Sequence, residues 1–187
     1  MPESLLHIGT HKTGTTSIQR FGAANRESLR DLGLWYPKAS EGRFPDHYAH
    51  HRIAHAIAGR DADLDIDDAR HFFKRVRKQM RSGERCLISA EPMYRHVPRD
   101  PAEPGVSGAE LRRQRHLQYA LDVRSGMPDF EVTVVVMVRR QDLFAESLYA
   151  EQVLATAYSA PIEDFIRQRR ALLDYAERLD IWAEVFG

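Results

Sequence analysis

A single cysteine, Cys86, is all the 187-residue chain contains, and it lies in the apolar run Cys86-Leu87-Ile88. An internal disulfide is therefore excluded, a cysteine-based metal site is disfavoured, and the thiol reads as buried packing. Charge of one sign is not in excess, since Lys plus Arg and Asp plus Glu number 27 each. No global field draws the chain to nucleic acid or to an anionic membrane, so an anion site has to be built locally. Long hydrophobic runs are missing too. The start, Met-Pro-Glu-Ser-Leu-Leu-His-Ile-Gly, has no basic region and too short an apolar stretch for a signal peptide. No later run approaches the length needed to cross a bilayer, and the expectation is a cytoplasmic protein without stable membrane insertion. Internal repeats and low-complexity tracts are also lacking.

What is present is enough for one core: 43% of the residues are hydrophobic, and the length calls for a single domain over 1–187. Leu5–Ile8 reads as a short strand stopped by Gly9, followed by a helix over Thr15–Leu32 that Gly33 ends. After Leu34-Trp35-Tyr36 and Pro37 comes a loop, then a histidine-rich helix over His47–Ile57. Asp67 and Asp68 suit the start of a helix to about Arg81, with Phe72, Phe73, Val76 and Met80 on one face. Cys86–Ala90 reads as a second strand, Pro92–Gly108 as a long loop and Ala109–Val123 as a helix. The β-branched run Val132–Val138 has the composition of a central parallel strand covered on both faces. Helices over Asp142–Thr156 and, twice, within Ile162–Phe186 complete the chain. Strands alternating with helices specify an α/β fold, a three-layer parallel sheet flanked by helices, with ligands at the carboxyl ends of the strands.

The segment Gly9-Thr10-His11-Lys12-Thr13-Gly14-Thr15-Thr16 places glycines at the P-loop interval between a strand and a helix. In that context backbone amides at the helix start can cradle a phosphate. The simpler reading is a plain strand-to-helix turn. Thr15 stands where a nucleoside-triphosphate loop has its lysine, and the lysine comes earlier, at Lys12. Here the sequence resembles the PAPS-dependent sulfotransferases (PAPS, 3′-phosphoadenosine-5′-phosphosulfate), whose phosphosulfate loop reads Lys-Ser/Thr-Gly-Thr-Thr after the first strand. The matching residues are Lys12, Thr13, Gly14, Thr15 and Thr16. The resemblance implies that Lys12 contacts the bridging oxygen of PAPS and stabilises the leaving 5′-phosphate. It also implies that Thr13, Gly14, Thr15, Thr16 and Ser17 bind that phosphate.

A second match is independent of the first. The run Val132–Val138 ends in Arg139-Arg140, and Ser147 follows Arg139 by eight positions, the spacing of the family's 3′-phosphate motif. By that resemblance Arg139 pairs with the 3′-phosphate and Ser147 adds a hydroxyl, while Arg140 is the lesser candidate. Taken without the loop, the same residues suit a solvated strand end and an ordinary helix surface. A core strand ending in arginine rather than in a magnesium-holding aspartate speaks against a nucleoside triphosphatase, and no metal is expected. The segments Leu173-Asp174-Tyr175-Ala176 and Trp182 to Gly187 resemble bacterial glycan-type members of the family. Family members continue past this point, so the resemblance implies a domain without their C-terminal segment.

An attacking hydroxyl needs a base, and Glu91, just after a strand, is the first candidate; capping or pairing with Arg95 is its structural alternative. His11 in the loop, and His47, His50, His51 and His55 on one helix, are further candidates. Zinc held by those four histidines would lack the usual accompanying motif. Trp35, Tyr36 and Tyr94 suit either a sugar platform or the core. The resemblance thus implies a sulfuryl transferase from PAPS to an acceptor hydroxyl, by analogy on a carbohydrate, and no nucleic-acid partner is expected. Its alternatives are a P-loop nucleotide kinase or phosphotransferase, and a non-catalytic nucleotide-binding fragment.

Overall fold

A computed structural model describes residues 1–96 and 108–187. Four strands, β1 (Glu3–His7), β2 (Leu34–Trp35), β3 (Arg85–Ser89) and β4 (Glu131–Val135), form one sheet in the order β2-β3-β1-β4. All three pairings are parallel, with Leu5 beside Leu87 on one side and beside Thr133 on the other. Parallel neighbours require crossovers, and helices supply them, giving an α/β sheet flanked by helices.

The helices begin with α1 (Thr15–Ala24) and α2 (Arg26–Asp31), one expected helix interrupted at Asn25, whose φ of −117° leaves the helical region. Then follow α3 (His51–Ile57), α4 (Ile66–Gln79), α5 (Pro92–Arg95) and α6 (Gly108–Gly126). The last three are α7 (Gln141–Thr156), α8 (Ile162–Leu173) and α9 (Tyr175–Phe186). The cap of α4 is Asp65, which accepts from the amides of Asp67 and Asp68 while Asp68 accepts from the Asp65 amide. The two aspartates expected to cap this helix thus lie in its first turn. Its apolar face, Phe72, Phe73 and Val76, is wholly buried, each side chain contributing about 1.5–3 kcal/mol.

Two expectations are corrected. Pro92–Gly108 is not loop throughout, since Pro92, well placed at a helix start, opens α5; residues 97–107 of that expected loop lie outside the described residues. And β4 is an edge strand, not a central one. Val132, Val134 and Val136 pack on the core side near Leu179 and Trp182 of α9, but Val135, Met137 and Val138 are 36%, 38% and 52% exposed. A continuous β-branched run fits a pleated surface on either face, so it does not reveal whether both faces are covered. Among the described residues no helix is long and apolar enough to cross a membrane.

Candidate functional site

The carboxyl ends of β1 and β3 lead into the 9–14 loop and α5 respectively, and these connections carry His11, Lys12 and Glu91. Gly9 sits where only a hydrogen fits: a Cβ would lie 2.8 Å from Thr15 Cγ2 and 3.3 Å from Glu91 Cβ, and its φ is +44°. The loop is pinned to the strand end beside it. The Thr10 amide and hydroxyl both donate to the Met137 carbonyl, at 3.2 and 3.0 Å, and the Thr13 hydroxyl donates to the Thr10 carbonyl at 2.7 Å. Lys12 holds a left-handed φ of 65°, uncommon for a residue with a side chain. Gly14, at φ 82°, is the N-cap of α1 and no side chain caps this helix. The Ser17 amide donates to the Gly14 carbonyl at 3.0 Å, which leaves the amides of Thr15 and Thr16 for an anion. Thr16 and Ser17 are exposed there, whereas Thr15 is buried.

The second sequence motif arrives at the same loop. Arg139 Nη1 donates to the Lys12 carbonyl at 3.4 Å, and the Arg139 carbonyl accepts from the Tyr175 hydroxyl at 2.9 Å. Lys12 Nζ lies 3.5 Å from Glu151 on α7. Ser147 stands one helical turn before Glu151, hence on the same side of α7. Arg140 is engaged elsewhere, pairing with Asp142 through two 2.7 Å contacts. Lys12 and Arg139, 127 positions apart, thus meet at one loop, and Ser147 lies on the side of α7 whose Glu151 reaches Lys12.

Glu91 lies behind it. Its Oε2 accepts from His51 Nε2 at 2.9 Å and from Gln19 Nε2 at 2.7 Å, and Gln19 also donates to Ser89 Oγ at 3.2 Å. Glu91 therefore neither caps α5 through its side chain nor pairs with Arg95. Burial by itself would raise its pKa; the hydrogen bond and charge of His51, then Gln19 and His11, outweigh that and bring the carboxyl down to about 2. His11 is neutral near pH 7, because burial first and the Arg95 charge second bring its pKa down to about 4.

The four histidines around α3 separate by role. His50 is buried with both ring nitrogens committed, Nδ1 accepting from the Ser89 amide and Nε2 donating to the Pro37 carbonyl. Burial outweighs these two bonds, which act upward, and takes its pKa down to about 4, so it is a structural imidazole and no base. His55 contacts His96, 2.8 Å between Nδ1 and Nε2, and exposed His47 stays with Ala49. Only His51 meets Glu91. Among the described residues no three His, Cys, Asp or Glu side chains are grouped to hold a metal ion. Trp35, Tyr36 and Tyr94 are 4%, 0% and 2% exposed, so they are core and form no sugar platform.

Gln19 and Glu151 were not singled out from the sequence, and Arg95 was named only as a possible partner of Glu91. Gln19, Glu151 and Arg95 each stand four residues from one that was singled out, Thr15, Ser147 and Glu91 in turn, and on a helix that spacing puts a pair on one side. No family model, no curated protein and no solved structure matches the chain.

Proposed function

We propose that the protein is a sulfotransferase using PAPS as donor, with a P-loop-type three-layer domain and a hydroxyl-bearing, carbohydrate acceptor. The observation carrying this reading is the convergence of Lys12 and Arg139, the latter donating to the former's carbonyl, at an uncapped helix start. Amides of Gly14 to Thr16 and the Ser17 hydroxyl bind the 5′-phosphate, the Thr13 hydroxyl and the Ser17 amide being already used within the loop and helix start. Arg139 and Ser147 bind the 3′-phosphate, where the planar guanidinium gives paired, charge-assisted hydrogen bonds.

In the reaction the acceptor oxygen bonds to sulfur while the bond from sulfur to the bridging oxygen breaks. The electron pair leaves with the 5′-phosphate of 3′-phosphoadenosine-5′-phosphate (PAP), whose growing charge Lys12 neutralises. The acceptor proton passes to the Glu91–His51 pair. Glu91 Oε2 takes both protein hydrogen bonds, which leaves Oε1 as the acceptor atom for the incoming hydroxyl. His11, neutral and beside Glu91 in charge terms, is the second group able to accept it. Positioning and charge stabilisation do most of the work, as in phosphoryl transfer.

The test is equilibrium binding of PAP to the wild type, Lys12→Ala and Arg139→Ala. Binding weakened in both variants supports the reading. Binding of Mg-ATP with none of PAP would replace it with a nucleotide phosphotransferase.

A further inference from the structure

At the end of α5 the molecule carries a cleft of about 660 Å³, within the range of ligand sites, lined by Arg95, Arg112, Arg167, Arg169, Arg170 and Arg178. The arginines come from α5, α6, α8 and α9, so folding, not a run of sequence, assembles them. Their charge is poorly offset. Arg167 pairs with Asp164 at 3.1 Å, and buried Arg178 donates to the Ala171 and Tyr94 carbonyls, which neutralise nothing. Arg95, Arg112, Arg169 and Arg170 make no ion pair with a described carboxylate. The wall holds two acids against six arginines: Asp174, which also caps α9 by accepting from the Glu177 amide, and Glu177, both of which act on Arg178. In a chain of zero net charge, such a concentration of one sign is a local feature that repels itself until an anion arrives.

Arg95 joins the cleft to the candidate site. It ends the helix that Glu91 begins, one turn away, and its charge reaches His11 and faces Glu91 and Glu151. A ligand lying along the arginines therefore ends near the proposed base. Its chemistry follows from the walls. Among the described residues no aromatic ring lines the cleft, so bases of a nucleic acid find nothing there to stack on. Ala171 and Leu172 are the apolar residues of the lining, too little to hold a phenol ring.

We propose that this cleft is the acceptor site and that the acceptor is a polyanionic oligosaccharide, bearing carboxylate or sulfate groups beside the hydroxyl that reacts. The proposal rests on the donor-site reading of the Lys12 loop. Guanidinium groups fix the acid groups, and the ring hydroxyl next to Arg95 is presented to Glu91.

The experiment is calorimetric titration of the whole chain with three octasaccharides, oligogalacturonate, sulfated dextran and neutral dextran, with an oligonucleotide and a polyglutamate peptide of equal charge, and with PAP. The same titrations are run on Arg112→Glu/Arg169→Glu, whose fold is checked by circular dichroism. The expected result is binding of one or both acidic octasaccharides but not of dextran, about tenfold or more weaker in the variant, with PAP binding unchanged. Carboxylate and sulfate sources are told apart by which octasaccharide binds. No binding of either, equal binding in the variant, or tighter binding of the oligonucleotide or peptide overturns the proposal. PAP reads the donor site separately: PAP binding without oligosaccharide binding sinks the cleft alone, and no PAP binding sinks the reading beneath it.

Discussion

Replacing Glu91 by glutamine keeps an oxygen to accept from His51 and Gln19 but removes the charge that those contacts stabilise. The carboxyl titrates near 2 in the folded chain against 4.5 in the unfolded one, which corresponds to about 3 kcal/mol of folding stability. A depressed carboxyl pKa stabilises the fold above the unfolded value, and that contribution is lost as pH falls through the folded value. At pH 7 Glu91→Gln is therefore expected to unfold about 1 M earlier in urea, taking a slope of roughly 2–3 kcal/mol per molar. At pH 3 the remaining difference is about 1.4 kcal/mol, and it vanishes toward pH 1. Sulfuryl transfer should fall by about 10²–10⁴, the usual worth of a general base, while PAP binding stays. A difference independent of pH, or none at pH 7, would refute the charged pair; a fully active variant would refute Glu91 as part of the base.

Arg139→Ala is expected to weaken PAP by about tenfold to a hundredfold and ADP by much less, because ADP loses only the support that the 3.4 Å bond to the Lys12 carbonyl gives the loop, whereas PAP also loses the bonds to its 3′-phosphate; parallel titrations read both. Glu151→Gln frees Lys12 from a carboxylate 3.5 Å away, and since the pair is 37% and 47% exposed the gain in PAP affinity should not exceed about fivefold. Gly9→Ala puts a methyl 2.8 Å from Thr15 Cγ2 at a φ of +44°, which costs about 1–3 kcal/mol by thermal unfolding and disrupts PAP binding as well.

Local signals carried the sequence reading where chemistry is local. An apolar run stopped by Gly9, the Lys12 to Thr16 pattern and the arginine after a Val-rich run each need only a few neighbouring residues, and β1 and the starts of α1 and β4 lie close to the expected places, although β4 ends at Val135, three residues before the expected Val138. What failed depends on distant partners. The two-residue β2 is too short to leave a period and exists through pairing with β3. The edge position of β4, the burial of Tyr36 and the division of labour between His50 and His51 are all decided by what packs alongside. Gln19 is a polar residue at 0% exposure, and its role as donor to Glu91, 72 positions away, follows only from folding. The arginine cleft, drawn from four helices, is equally invisible to composition that balances to zero.

The most direct test of the sulfuryl-donor site is titration of the purified chain with PAP and, side by side, with ADP, in the absence of Mg²⁺. Preference for PAP by at least about tenfold is predicted, that being the worth of one charge-assisted pair on the 3′-phosphate. Equal affinity for the two nucleotides would contradict the assignment of Arg139 and Ser147 and, with it, the account of the site.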